Sequence, residues 1–555
     1  MQLNRRAFVG AGVVASAAAA GAAGAVTQQS GGTRAEQAQL ATLARYVEQH
    51  RADWGLPGMT LCVVDRDGYA GFVRSGYAHF EDRTPVGDGH LFQIGSISKM
   101  MCALVVWQMV QEGKLALDAK LSALMPELRV EHGGDITLQH LLNHTSGLPD
   151  DAPLAGELWS AWTPGSKWSY SNTGYEICGE IVARYDRRPY RDALSARLLQ
   201  PLGMNATKAA IRVADRMSYA QGYEPPFNDR SILRPGSRTQ CPWIDMENAA
   251  GCVASTAADM AIFARFLINL AQGKGGPILH DDTAARFVAV SAPAPGWSEN
   301  AEYGNGIARF EDHERHYWHH TGGMVSFSSS IHVDIRAGVA CFASSNVGGL
   351  NYRPRDVTLY ACQLYRAARE GDPAPTPKPT RAMIENTEPF VGTYTAQSGE
   401  SFELVAAGDQ LKMRYQGRES AVQQLGGSFA CAEPRFVEPG LVFDMETDRA
   451  VRGWANDVEF VRDPSKGYKP AAPEELRALA GRYDNDDRWL GPLFIVARDG
   501  KLWANNGAAL KKTDAGYWVF DGDDVTTERM SFDAVMNGKP QRFWYSGKPF
   551  VRRFS

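Results

Sequence analysis

Apolar positions change their period twice along this chain. Between residues 35 and 370, stretches with helical spacing, such as Glu36–Arg51 and Ala257–Ala271, alternate with short β-rich runs such as Met59–Val64 and Ser326–Val333. That alternation predicts an α/β or α+β domain. The run Met100–Val110 is apolar on nearly every side and stops at Gly113, which predicts a helix buried all round. At 373–387 the segment Pro373-Ala374-Pro375-Thr376-Pro377-Lys378-Pro379 removes backbone donors at alternate positions and predicts a semi-rigid extended linker.

Beyond the linker the pattern becomes a string of short strands with turns every few residues, and it repeats. Phe390-Val391-Gly392-Thr393-Tyr394 opens one half and Leu479-Ala480-Gly481-Arg482-Tyr483 the other. Each is followed by an alternating strand and a glycine turn, Gly408-Asp409-Gln410-Leu411 and Asp499-Gly500-Lys501-Leu502. About eight strands fit in each half, enough to close a small barrel and remove exposed edges. Two small, lipocalin-like antiparallel β-barrels, over 388–465 and 473–555, are expected; one larger barrel built from both halves is the alternative.

The start of the chain carries Asn4-Arg5-Arg6-Ala7-Phe8 and then a weakly apolar Ala/Gly/Val stretch ending Ala23-Gly24-Ala25. Residues 1–26 resemble a twin-arginine export signal, so the mature chain is expected to be periplasmic or secreted. No later stretch has the ~18 apolar residues of a membrane helix, and no membrane span is expected in the mature chain. The 58 Lys+Arg against 63 Asp+Glu give a net charge of -5, which offers no global attraction to nucleic acid. The eight cysteines form no C-x-x-C pair and mostly sit in apolar runs; only Cys241 and Cys252 are close enough to suggest a short disulfide loop. His140 and His144 have the i, i+4 spacing of a zinc site but lack the adjacent Glu of the hydrolytic motif, so neither metal nor other cofactor is expected.

The strongest chemical signal is Gly95-Ser96-Ile97-Ser98-Lys99 at the start of the apolar helix. Spacing of i, i+3 places the Lys99 amine beside the Ser96 hydroxyl, and burial disfavours the charged lysine, so the amine can accept a proton. Tyr170-Ser171-Asn172 offers a phenol and an amide on a short loop. His320-Thr321-Gly322-Gly323 leads into an apolar strand, where glycine lets a substrate backbone approach a sheet edge. In an extended segment His319 and His320 point to opposite faces.

These three elements in this order, together with Leu141-Leu142-Asn143-His144-Thr145-Ser146-Gly147-Leu148-Pro149 and the run Ala249–Met260, resemble the serine β-lactamase and penicillin-binding protein superfamily, in its class C-like branch. The resemblance covers residues 35–370. It implies a β-lactamase/transpeptidase-like catalytic domain in which Ser96 attacks a carbonyl, Lys99 or Tyr170 is the base, and an acyl-enzyme is released by water or another nucleophile. Asn172, His320 and Gly322 would bind substrate, and the backbone N–H groups of Ser96 and Gly323 would form the oxyanion hole.

The third motif usually begins with Lys in β-lactamases and carboxypeptidases. Here it begins with His320, only partly charged near neutral pH, as is similar in D-aminopeptidases and some esterases. A catalytic domain followed by two barrels also resembles bacterial D-aminopeptidases, in which a loop of the last barrel recognises a free α-amino group. The acidic turns Asp484-Asn485-Asp486-Asp487 and Asp521-Gly522-Asp523-Asp524 offer charge for that task, although turns also favour Asp and Gly for backbone reasons. The expectation is an exported serine hydrolase acting on amides or peptides with an N-terminal D-residue. The alternatives are an esterase or DD-peptidase of the same superfamily, or a catalytically weak protein that binds peptidoglycan peptides. A small peptide, amide or ester substrate is the expected partner, and the sequence leaves oligomeric state open.

Overall fold

The computed structural model of the 555-residue chain describes residues 26–30, 33–224, 238–348, 352–380, 384, 386–425, 427–431, 433–437, 440–505 and 507–553. The expected export signal at 1–26 lies, but for its last residue, outside the described residues. Among them, no helix is long and apolar enough to cross a membrane.

The first part of the chain is built on a ten-stranded antiparallel sheet. Its spatial order is Val26–Ser30, Ala70–His79, Gly58–Asp65, Val339–Ser345, Phe327–Asp334, Arg315–Met324, Ile307–Asp312, Glu302–Gly304 and Ala292–Pro293, with Thr84–Pro85 paired beside Ala70–His79. Strand Gly58–Asp65 is buried along its whole length because helices cover both faces. Leu61 and Val63 pack with the helices Arg34–Asp53 and Arg355–Glu370, while Cys62 and Val64 face the larger core on the other side. At the centre of that larger core runs the helix Ser98–Gln111, with all but its last two residues buried. Trp107, Leu104 and Val105 are fully enclosed, each such side chain contributing about 1.5–3 kcal/mol.

The tail forms two separate closed barrels of eight antiparallel strands each, not one larger barrel. The first runs from Gly392–Ala396 to Val458–Val461 and the second from Gly481–Asp484 to Lys548–Arg552. The repeat in sequence is a repeated hydrogen-bond motif. Tyr394 Oη donates to the Phe390 carbonyl at 2.9 Å, and Tyr483 Oη to the Leu479 carbonyl at 2.7 Å. In each barrel an arginine at or just after the closing strand, Arg462 or Arg552, caps the tyrosine ring at 5.1 Å and donates to its hydroxyl. Aromatic and aliphatic side chains fill the interiors, including Phe402 and Phe460 in the first barrel and Phe543 and Phe550 in the second.

The proline-rich linker lies along the outer helices, where its Lys378 carbonyl accepts from Tyr46 Oη at 3.4 Å. All eight cysteines are buried free thiols, so the short Cys241–Cys252 disulfide loop does not form.

Close approach of backbones positions the catalytic segment. Gly95 has φ +56°, and a methyl group there would lie 2.6 Å from the Gly323 nitrogen. A methyl group on Gly322 would overlap the Ile94 carbonyl oxygen and the Ser329 hydroxyl. These glycines let the Ile94–Ile97 turn sit directly against strand Arg315–Met324. Gly322→Ala is expected to destabilise the first domain by about 1–3 kcal/mol and to leave both barrels folded, measured as a lower denaturant midpoint for the fluorescence phase of the Trp107-containing core.

Candidate active site

Ser96 sits in the 3-10 turn Gly95–Ile97, immediately before the buried helix. Its N-terminal neighbour is left-handed, so the chain turns sharply and aims the serine at the edge of the sheet. Lys99, on the first turn of the helix, places its Nζ 3.1 Å from Ser96 Oγ, as the three-residue spacing requires. The same Nζ lies 2.6 Å from Asn172 Oδ1 and 2.7 Å from the Ala250 carbonyl. All three partners are uncharged. Burial therefore drives the Lys99 ammonium well below the usual lysine range, opposed by the fields of Asp150 and Glu176.

Asn172 begins the helix Asn172–Asp186 because Ser171 caps it, the serine Oγ accepting from Gly174 N at 3.0 Å. The amide is held from behind by Asp150, whose Oδ1 accepts from Asn172 N at 3.2 Å and from Asn172 Nδ2 at 3.1 Å. That fixes the amide orientation, with its oxygen toward Lys99. Tyr170 is hydrogen bonded to Ser96, and its ring lies 4.9 Å from Lys99 Nζ. Burial raises the phenol above its ordinary range, so it stays protonated at neutral pH.

His320 and His319 do face opposite sides of their strand. His319 stacks on His332 at 4.1 Å in the layer beneath, whereas His320 lies 6.1 Å from the Tyr170 ring. Its Nδ1 is 2.6 Å from the Thr321 carbonyl, which only accepts, so Nδ1 carries the proton. Nε2 then accepts from the Tyr303 hydroxyl at 3.0 Å. Burial and the neighbouring Lys99 push His320 down to about 3, so it is neutral near pH 7 rather than partly charged. Of the glycines, Gly323 borders the cavity beside Ser96, and Gly322 is the point of contact with Ile94.

The cavity, about 160 Å³, is walled on one side by Ser96, Asn172 and Gly323. The other wall is the second barrel, through Asp487, Trp489 and Lys548. Of the six acidic residues singled out in the turns, only Asp487 reaches the cavity. Asp484 pairs with Arg482 and Arg553, and Asp486 is exposed. Asp521 pairs with Lys501 at 2.7 Å, Asp523 accepts from Val525 N at 3.0 Å within its own turn, and Asp524 takes Lys167 on its backbone carbonyl at 2.6 Å.

Sequence reasoning missed Asp150, Glu176, Tyr303 and Lys548. Asp150 directly follows the Leu141–Pro149 segment and was within reach. Lys548 Nζ lies 2.7 Å from Asp151 and 3.8 Å from Asp487, a placement that only the packing of the last barrel reveals. Glu176, one turn after Asn172, is pushed up to about 7 mainly by burial.

A family profile described as Beta-lactamase matches residues 43–364. The chain belongs to the Beta-lactamase family. This family membership makes it a protein of the serine hydrolase and acyltransferase superfamily. Penicillin-binding protein 4* of Bacillus subtilis (strain 168) is 24% identical over 405 residues, covering 67% of this chain and 85% of that protein. Penicillin-binding protein 4 of Amycolatopsis lactamdurans is 26% identical over 379 residues, covering 63% and 96%. Among solved structures, the octameric penicillin-binding protein homologue from Pyrococcus abyssi shares the fold, with TM-score 0.54 and 20% identity, over 76% of this chain and 98% of that one.

From this geometry, covalent labelling of Ser96 by a fluorophosphonate should be lost in Ser96→Ala and fall about 10²–10⁴-fold in Lys99→Met. Mass spectrometry of the labelled peptide checks both.

Proposed function

We propose that the protein is an exported serine hydrolase that cleaves amides or peptides with an N-terminal D-residue through an acyl-enzyme on Ser96. The observation that carries this reading is Asp487, a carboxylate of the second barrel placed in the cavity of Ser96, beside Asp151 at the Lys548 ammonium. Two carboxylates that already hold one ammonium form suitable chemistry for a substrate amine. His320, being neutral, offers no cation for a substrate carboxylate. The arginine pair Arg5-Arg6 supports export.

In the neutral state Lys99 has two N–H groups and one lone pair. The carbonyl oxygens of Asn172 and Ala250 take the two N–H groups, which leaves the lone pair facing the Ser96 hydroxyl. Ser96 loses its proton to Lys99 as Oγ adds to the substrate carbonyl carbon. Negative charge develops on the carbonyl oxygen, against the N–H groups of Ser96 and Gly323. The C–N bond then breaks as the leaving amine takes a proton relayed through Lys99 or the Tyr170 phenol. Water adds to the ester and returns Ser96 to its starting state. A base that must be neutral gives activity that rises with pH as Lys99 loses its proton.

A second reading, a carboxypeptidase acting on peptide C-termini, is favoured by one observation: Lys548 brings a cation into the cavity that His320 does not supply.

The test is hydrolysis of matched D- and L-alanine p-nitroanilides, N-acetylated D-alanine p-nitroanilide and a p-nitrophenyl ester. Selective turnover of the D-anilide with a free amine, dependent on Ser96, is expected. Asp487→Asn should raise KM at least tenfold on that substrate and leave the ester unchanged. Equal turnover of the acetylated anilide would overturn amine recognition.

A further inference from the structure

The second barrel does more than wall the cavity. Its segment 524–529 is fastened to the catalytic domain by several polar contacts. Trp159 Nε1 donates to the Thr527 carbonyl at 2.8 Å, Lys167 to the Asp524 carbonyl, and Arg529 pairs with Glu131 at 2.6 Å while lying over the Trp159 ring at 4.7 Å. Between these anchors the buried Glu528 turns inward. Its Oε1 accepts from Asp150 N at 2.9 Å and from Thr527 Oγ1 at 3.1 Å, and its Oε2 accepts from the Ser546 hydroxyl. Asp150 in turn holds Asn172, and Asn172 holds Lys99.

We infer that Glu528 is a positioning residue for the Ser96–Lys99 pair, acting across the domain boundary through Asp150 and Asn172. The inference rests on the serine hydrolase reading but not on the identity of the substrate. Glu528 contributes a strut and a charge. The strut is the bond to Asp150 N, which fixes the loop whose carboxylate orients Asn172. The charge acts on Asp150, because two carboxyl groups brought together away from water do not both ionise freely. Burial and Glu528 both hold the Asp150 proton above the usual carboxylate range. A protonated Asp150 pulls less strongly on the Lys99 proton, so Glu528 promotes the neutral amine that the serine needs.

The other groups around this pair are Asp151 on the same loop, Glu176 on the Asn172–Asp186 helix, and Tyr545 and Lys548 on the last hairpin. Lys548 is engaged by Asp151, and Tyr545 is a buried phenol raised by burial and by these carboxylates, so it remains uncharged. Glu176 bears on Lys99 directly, favouring its charged form, while its own carboxyl is held up mainly by burial and Asp151 and opposed by Lys548 and Lys99.

The test uses the full-length protein and the pH dependence of fluorophosphonate labelling at Ser96. Glu528→Gln keeps an acceptor for Asp150 N but removes the charge. Asp150 then ionises at lower pH, Lys99 keeps its proton longer, and the acid limb of labelling should move up by about 0.5–1 pH unit. Glu528→Ala removes the strut as well and should slow labelling at least tenfold at every pH. In an Asp150→Asn background, Glu528→Gln should no longer move the limb. A Glu528→Gln profile that superimposes on the native one, or shifts to lower pH, overturns the inference whether or not the alanine variant folds. Native protein that fails to label at Ser96 overturns the hydrolase reading and this inference with it.

Discussion

A lysine amine enclosed in the protein, with only uncharged oxygens in contact, is the constraint on which the site depends. Removing Lys99 from water without a touching counter-ion is tolerable only if the amine can be neutral and its hydrogens satisfied. The Ala250 carbonyl and the Asn172 amide meet that demand, and each needs its own support. Asn172 requires the Ser171 cap and the Asp150 carboxyl group; Ser96 requires a left-handed glycine before it and Gly322 on the facing strand, against Ile94. The buried helix beneath is mostly apolar, and its other buried polar side chains find partners away from the amine: Ser98 Oγ donates to the Gly95 carbonyl at 2.7 Å and Gln108 Nε2 to the Arg197 carbonyl at 2.8 Å.

Local features of the sequence revealed much of this. The apolar run after Ser96, the i, i+3 lysine and the capped Tyr170-Ser171-Asn172 turn each express short-range physics, and the structure brings them within hydrogen-bonding distance. The paired Phe390–Tyr394 and Leu479–Tyr483 segments gave away the two barrels, since a tyrosine that closes on a carbonyl four residues earlier leaves its mark in one short stretch. The electrostatics were less legible. The charge state of His320 depends on enclosure and on how near Lys99 is brought across the site, and its tautomer on the Thr321 carbonyl and Tyr303, none of which its own motif records.

What sequence could not show is how the last barrel docks. Asp487 and Asp521 sit in similar acidic turns, yet one borders the cavity and the other pairs with Lys501 on its own barrel. Their chemistry is alike and their fates are set by the orientation of a whole domain. Lys548 and Glu528 follow the same logic: a lysine at the start of the closing strand and a glutamate gain their roles from residues nearly 400 positions away.

That separation bears on the order in which the cavity is completed. The walls of the cavity are contributed by residues as early as Ser96 and as late as Lys548, so a chain emerging in order assembles the sheet and the first barrel while the nucleophile still lacks its opposite wall. Contacts of such span form late because loop closure must precede them. Completion of the cavity is thus tied to the folding of residues as late as Lys548.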